Sequence, residues 1–347
     1  MTTWKTIGQD HLVQALGKSL QQDRLSHAYL LVGPPQVGKM TLAMDLARAV
    51  NCLDEQKRPC GACRQCQRIE GGIHADVQVI GVETDGRTER LRAEITIDQV
   101  RALEQAATLK PYEGACRVFI IDGAERLNLY AANALLKTVE EPPPQVLLLL
   151  LTSNEEAIPL TLRSRCQRLG LRPLSLEAVA KLLIDEQGLS QERAQLLGRL
   201  SGGRLGWALA ATSDSTVIEE RTRQLQRLQE VVDGGLEVRF EYARELAAQY
   251  GRSRETARQV LGLWLQWWRD LLVLREGSRE LVVNLDYLGA DHDGALVRMS
   301  QQFQTVEMAR FASELAATME RLEQNANPRI ALDVLMLALP RAAVVAS

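Results

Sequence analysis

The stretch that decides the fold is AYLLVGPPQVGKMTLAMDLARAV, residues 28–50. Its first five residues form an apolar run typical of a buried strand, and residues 41–50 carry apolar side chains at helical spacing. Between them the loop reads glycine, four residues, glycine and lysine, with Gly33 and Gly38 as the glycines. A strand, a glycine loop and a helix in this order predict a phosphate-binding loop.

Such a loop binds phosphate because its glycines let backbone N–H groups converge on the anion, and because the helix adds the positive end of its dipole. Lys39 would reach the outer phosphates. The alternative, a glycine-rich turn without a ligand, is disfavoured by the flanking strand and helix. The loop therefore predicts a site for ATP or ADP, and the sequence leaves open whether either is bound.

Two groups that ATP hydrolysis requires are missing. A nucleotide triphosphatase has Ser or Thr after the lysine to bind Mg²⁺, whereas this chain has Met40, with Thr41 about 100° further round the helix. Asp122 ends an apolar strand and holds the position of the acid that binds Mg²⁺ through water. The next residue, where many ATPases have an activating carboxylate, is Gly123, and a carboxylate follows only at Glu125. We predict a site that hydrolyses nothing.

Strands and helices alternate over about the first 170 residues. The patterns predict strands near 76–80, 117–122, 146–151 and 167–171, and helices near 9–22, 97–109 and 127–139. The run at 146–151 is apolar throughout, as in a central parallel strand that is buried on both faces. This alternation predicts an α/β domain with a parallel sheet.

The pattern becomes helical after Pro173. Residues 174–209 indicate three short helices, and no strand signal follows from about residue 213 onward. Three tryptophans at positions i, i+3 and i+4 favour a core or a subunit interface over a base-stacking platform: Trp264, Trp267 and Trp268.

Four of the six cysteines fall within fifteen residues: Cys52, Cys60, Cys63 and Cys66. In a reducing cytosol, two CxxC steps that share a cysteine are typical of a metal site rather than of a disulfide framework. Four thiolates suit tetrahedral Zn²⁺ and leave no open coordination position. The sequence therefore predicts a structural zinc, not a catalytic one.

Composition narrows the function classes. The chain of 347 residues has 41 Lys and Arg against 44 Asp and Glu, a formal net charge of −3, which argues against a free-standing nucleic-acid binder. No apolar run is long enough to cross a membrane, and residues 1–6 lack a signal pattern. We expect a cytoplasmic protein without membrane contact.

Ser164, Arg165 and Cys166 follow the last long apolar strand. An arginine at this place in a phosphate-loop domain can project into the nucleotide site of a neighbouring subunit, where it would stabilise transition-state charge. The alternative is a surface arginine in an ordinary ion pair.

These residues together resemble a known family. The chain is similar to the delta-prime family of bacterial DNA polymerase III clamp-loader subunits, which belongs to the AAA+ superfamily. The likeness covers about residues 5–210 and rests on the cysteine cluster and on four segments: IGQ at 7–9, HAYL at 27–30, NALLKTVEEP at 133–142 and SRC at 164–166. In the helical remainder only the overall length and NPRI at 327–330 agree.

The resemblance implies three domains. A RecA-like AAA+ domain at 1–172 would contain the zinc module at about 52–66, a small helical lid would cover 173–212, and a helical collar for oligomerisation would cover 213–347. In fold class this is an α/β domain followed by all-α domains.

The resemblance also implies site residues. Arg165 would complete the ATP site of a neighbouring subunit, while Lys39, Asp122 and Thr152 occupy positions that serve nucleotide in the ATPase relatives, with Gly33, Gly38 and Thr41 beside them. Those relatives carry a lid arginine just before an Ala-Leu pair. This chain has Gly206 and Trp207 before Ala208 and Leu209, and Arg204 lies two positions early.

The implied function is that of a non-hydrolysing stator in the DNA polymerase III holoenzyme. Its partners would be gamma or tau ATPase subunits and the delta subunit in a hetero-pentameric ring, with the sliding clamp and primer-template DNA contacted through the complex. The main alternative is the ATPase motor subunit of the same machine, and a separate AAA+ DNA motor is a third.

Overall fold

The computed structural model describes residues 3–83, 94–288 and 294–341. A sheet of five parallel strands in the order β2-β3-β4-β1-β5 organises the first part of the chain. Its strands are β1 (Ala28–Val32), β2 (Val77–Ile80), β3 (Arg117–Asp122), β4 (Val146–Thr152) and β5 (Gln167–Gly170). Every residue of β4 is buried, as its unbroken apolar sequence predicts for a central strand.

Six helices accompany these strands, one before β1 and five between later strands, and cover both faces of the sheet. They are α1 (Asp10–Gln21), α2 (Lys39–Asn51), α3 (Arg64–Glu70), α4 (Ile97–Ala107), α5 (Leu129–Glu140) and α6 (Leu160–Arg163). One apolar cluster joins α1 and α2 to one face, and a second joins α4 and α5 to the other. The predicted RecA-like α/β fold is confirmed.

Two details differ from the sequence prediction. Helix α5 begins at Leu129 rather than near 127, because Asn128 caps it by accepting a 2.8 Å hydrogen bond from the Ala131 N–H. The short helices α3 and α6 were not predicted, since four to seven residues give too few turns for an apolar stripe to repeat.

Nine further helices follow within the described residues, in which no strand occurs after β5. They are α7 (Leu176–Gln187), α8 (Gln191–Ser201), α9 (Leu205–Ser213), α10 (Thr216–Asp233), α11 (Leu236–Arg252), α12 (Arg254–Arg275), α13 (Ala295–Gln302), α14 (Thr305–Glu323) and α15 (Pro328–Ala338). None of these described helices is long and apolar enough to cross a lipid bilayer.

The three tryptophans of α12 are core residues with no exposed surface. Trp264 stacks on Tyr242 with ring centroids 5.3 Å apart, and Trp268 meets Phe311 at 4.7 Å. Large aromatic side chains contribute most to such a core because each buries a large apolar area. The prediction of a packing role is confirmed, and base stacking by these rings is excluded.

The chain divides into two compact units. One comprises Met1–Leu174 with Arg204–Gly206, and the other comprises Ser175–Gly203 with Trp207–Ser347. The separation of a lid at 173–212 from a collar at 213–347 stays a prediction.

Candidate functional site

The predicted nucleotide residues lie where three strands end. Val32 pairs with Thr152 across β1 and β4, and Asp122 pairs with Leu151 across β3 and β4. The carboxyl ends of these strands therefore share one edge of the sheet. Ligands of open parallel sheets bind at such an edge.

The local backbone leaves no room for a side chain at Gly33 and adopts a conformation at Gly38 that favours glycine. The Gly33 N–H donates to the Thr152 carbonyl at 3.2 Å, and a Cβ at position 33 would lie 2.8 Å from the carbonyl oxygen of Leu171. Gly38 has φ +103°, a conformation that side chains rarely tolerate, and it directly precedes α2. The loop thus turns tightly into the helix, as a phosphate cradle requires.

Lys39 bends back over this loop. Its Nζ donates to the carbonyl oxygens of Gly33 at 2.6 Å and Pro34 at 2.8 Å. The ammonium group therefore lies within the loop that would hold a phosphate.

The two residues after the lysine differ in environment. Met40 is half-buried and packs against the apolar cluster between α2 and the sheet. Thr41 is exposed on the next position of α2. Position 40 therefore supplies apolar contact where a triphosphatase has a metal-binding hydroxyl.

Asp122 lies at the end of β3, followed by Gly123 with φ +78°. Burial raises the pKa of the Asp122 carboxyl, and the Lys39 ammonium acts against this shift. Thr152 is buried, and its Oγ1 accepts from the Asn154 N–H at 3.0 Å. Glu125 accepts a hydrogen bond from the Ser153 hydroxyl at 2.8 Å.

Gly206 contacts the candidate phosphate loop from later in the chain. Its N–H donates to the Gln36 carbonyl at 3.0 Å, and a Cβ at 206 would lie 2.9 Å from that oxygen. A side chain at this position would displace the loop, so an arginine could not occupy it in the present backbone arrangement.

Arg165 lies in the short turn between α6 and β5, and its side chain is 40% exposed. Its Nη2 lies 2.8 Å from Oε1 of Glu140, and its Nη1 donates to the Thr161 carbonyl at 2.8 Å. Both predicted roles therefore have a physical basis: Arg165 forms an ion pair, as a surface arginine would, and it is accessible to another subunit.

The four clustered cysteines meet in space. Their Sγ atoms all lie within 4.8 Å of one another, and no other set of three or more His, Cys, Asp or Glu side chains among the described residues could hold a metal. Four thiolates around Zn²⁺ at about 2.3 Å would lie about 3.8 Å apart, so a small contraction closes the site.

Local structure explains how distant cysteines converge. Cys52 follows the last residue of α2, Cys63 directly precedes α3, and Cys66 lies in the first turn of α3. Backbone N–H groups point at two of the sulfurs, from Cys60 to Cys52 at 3.4 Å and from Cys63 to Cys60 at 3.3 Å. Such contacts are the outer-shell support that orients metal ligands.

The thiols differ in acidity. Burial raises the pKa of Cys52 and Cys66. Burial acts in the same direction on Cys63, but hydrogen bonds from the N–H groups of Cys66 and Leu53 and from the thiols of Cys66 and Cys60 together outweigh it and lower the pKa of Cys63 to about 6. A metal would deprotonate the remaining thiols, since only thiolates ligate it. The donor set fits zinc.

The contact between Glu140 and Arg165 was not predicted, although both residues lie in segments that carry the family resemblance. The available signal was a carboxylate at the last position of a helix, where the helix dipole disfavours negative charge.

Several known proteins similar to this chain are DNA polymerase III subunits. A family model described as "DNA polymerase III, delta subunit" matches residues 8–175. The delta' subunit of Bacillus subtilis is 29% identical over 339 residues, which are 97% of this chain and 98% of that protein. The tau subunit of Escherichia coli is 35% identical over 215 residues, 60% of this chain and 32% of tau. A solved gamma subunit-related protein of Thermotoga maritima covers 93% of this chain and 97% of its own, with a TM-score of 0.42 and 17% identity.

Proposed function

Because this chain belongs to the clamp-loader subunits of DNA polymerase III, we propose that it is the delta-prime-type stator of the complex. In this role it hydrolyses no ATP itself and supplies Arg165 to the ATP site of a neighbouring subunit. The observation that carries the proposal is the pairing of a phosphate cradle that lacks its magnesium hydroxyl with an accessible arginine after α6.

The absence of turnover follows from three positions around the loop. Met40 packs into an apolar cluster, Gly123 offers no carboxylate to activate water, and Gly206 leaves no room for a lid arginine. Lys39 and the loop glycines remain, so the loop holds ATP or ADP, if it binds either, without cleaving it. Asp122, Thr152 and Thr41 would line that degenerate site.

The role of Arg165 in trans is supported by its chemistry. A guanidinium is charged at all physiological pH values and can contact a phosphate with two parallel N–H groups. An arginine that stabilises phosphoryl-transfer charge can contribute about 10³ to 10⁵ in rate. Its 40% exposure leaves it accessible to another subunit.

The cysteine cluster would hold one structural Zn²⁺ through Cys52, Cys60, Cys63 and Cys66. When bound, the ion supplies a cross-link between the end of α2 and the start of α3 and no reactive position. The partners would be gamma or tau ATPase subunits and a delta subunit in a ring of five. The sliding clamp and primer-template DNA would be reached through that complex, since the net charge of −3 gives the chain no basic excess of its own.

The test is ATP hydrolysis and clamp loading by the reconstituted complex. Arg165→Ala should lower the DNA-stimulated ATPase rate by at least tenfold while the complex still assembles on a sizing column. Arg168→Ala is the matched control, because Arg168 is an exposed arginine two residues from Cys166 that pairs with Glu155. Unchanged ATPase in an assembled Arg165→Ala complex would refute the stator proposal.

The second candidate is an ATPase motor subunit of the gamma or tau type. It is favoured by the 35% identity to tau over 215 residues and by the intact glycines and lysine of the loop. Lys39→Ala in the complex separates the two candidates: a motor subunit would lose its own share of turnover, whereas a stator would retain the complex's rate.

A further inference from the structure

The side chain of Glu140 forms an ion pair with Arg165, the residue proposed to reach a neighbouring ATP site. Glu140 is the last residue of α5, and Arg165 follows the last residue of α6 by two positions. The ion pair between them joins Oε1 to Nη2 at 2.8 Å, with side chains 46% and 40% exposed. Exposed pairs of this kind contribute only about 0.2–1 kcal/mol to stability.

The location of Glu140 is unfavourable for a carboxylate. The C-terminus of a helix carries the negative end of the helix dipole, so a negative charge there is disfavoured. Glu141, also acidic, comes next. The ion pair with Arg165 offsets this local cost, and it is the contact that the structure gives to the Glu140 side chain.

The end of α5 is held in place independently. The Nε2–H of His27, directly before β1, donates to the carbonyl oxygen of Val139 at 2.9 Å. The carbonyl of Val139 would otherwise be one of the unpaired groups at the helix end. Glu140 therefore projects from a helix end that is tied to the start of a central strand.

Two acceptors thus contact one guanidinium. Thr161, in α6, offers its carbonyl to Nη1, and Glu140 offers its carboxylate to Nη2. These contacts use two of the five N–H groups of an arginine and leave three for an anion. A free arginine side chain would sample many rotamers, at a cost of about 2 kcal/mol on being fixed.

We propose that Glu140 is a positioning residue that pre-orients Arg165 toward the nucleotide of the neighbouring subunit, an inference that rests on the proposed stator function. The carboxylate acts only through Arg165. Because it restricts the rotamers before the transition state forms, its loss lowers the turnover number and leaves the ATP concentration at half-maximal rate unchanged.

The experiment compares three variants and one double variant in the reconstituted complex. Glu140→Gln should lower kcat by about three- to tenfold, in keeping with the strength of an exposed pair and the added ordering. Glu140→Asp, which keeps the charge on a shorter chain, should recover part of the rate. Glu141→Gln, an exposed neighbour, is the control and should leave the rate as it is.

The double variant decides whether the effect passes through Arg165. If it does, Glu140→Gln combined with Arg165→Ala is no slower than Arg165→Ala alone. A further additive loss would mean a separate structural role and would overturn the inference, as would an unchanged or increased kcat in Glu140→Gln. If Arg165→Ala itself leaves the rate intact, the proposed function fails first, so the two failures are distinct.

Discussion

The hydroxyl of Ser153 donates a 2.8 Å hydrogen bond to Oε1 of Glu125, which ties the end of β4 to the turn after β3. Glu125 is the first carboxylate after Asp122, and Gly123 separates the two. The Oε1 atom of Glu125 therefore accepts a hydrogen bond from Ser153, a residue at the edge of the sheet. The contact gives this carboxylate a packing role at the sheet edge, and we expect it to have no role in activating water.

The isolated chain is expected to release no phosphate from ATP in the presence of Mg²⁺. Position 40 offers no hydroxyl to the metal and position 123 offers no carboxylate to the attacking water. The measurement is steady-state phosphate release by the purified chain, with the complete complex as a positive control. Turnover that disappears in Lys39→Ala would contradict the prediction, since it would belong to this loop.

One zinc ion per chain is expected in protein purified without chelator. Elemental analysis measures the content, and Cys63→Ser should lose most of the metal because three thiolates and a hydroxyl bind Zn²⁺ more weakly. The residues around 52–70 should then become sensitive to proteolysis. Cys166→Ser, outside the cluster, is the matched control and should retain the metal. Metal-free wild-type protein would refute the assignment.

Two glycine-to-alanine substitutions should change stability in opposite directions. At Gly33 the new Cβ would meet the Leu171 carbonyl oxygen at 2.8 Å, so we expect a loss of about 1–3 kcal/mol in the free energy of unfolding. At Gly17, inside α1, the Cβ meets nothing within 4 Å, and the higher helix propensity of alanine should add about 0.5–1 kcal/mol. Chemical denaturation measures both, and equal effects would show that close backbone approach does not select the glycine at 33.

Asp76 should make the first unit sensitive to acid. Burial opposes its ionisation, but N–H groups of Tyr112, Glu113 and Gly114 donate to its carboxylate at 2.7–2.8 Å, and the net effect lowers its pKa. A pKa lowered by folding stabilises the native state above the ordinary value of about 3.9, and this contribution is lost as the pH falls through the native value.

Asp76→Asn is therefore expected to cost about 2–4 kcal/mol at pH 7, because it weakens charge-assisted hydrogen bonds to buried donors. The difference from wild type should shrink below about pH 4, where the Asp76 carboxyl of the unfolded wild-type chain begins to take up a proton while the native carboxylate is still ionised. Asp98→Asn, at an exposed position in the first turn of α4, is the control. A difference that stays constant down to pH 2 would contradict the assignment to the carboxylate.

The sequence by itself determined the parallel sheet, the helical second half and the cysteine site. Apolar runs such as 146–151 and alternation with helices depend on local spacing, and each strand predicted this way is present within about a residue or two of its predicted bounds. The cysteine prediction also followed from spacing, because two CxxC steps bring three of the thiols together over a few residues. Cys52 joins them from the end of α2.

Only the tertiary structure decided which residues from distant segments meet. Glu140 and Arg165 are 25 positions apart, and Gly206 reaches Gln36 across 170 positions. No periodicity encodes such contacts, since they depend on how helices end over the sheet edge and on side-chain rotamers. The sequence therefore determined what chemistry was available, and the packing of α5 and α6 determined that the guanidinium of Arg165 is held on a carboxylate.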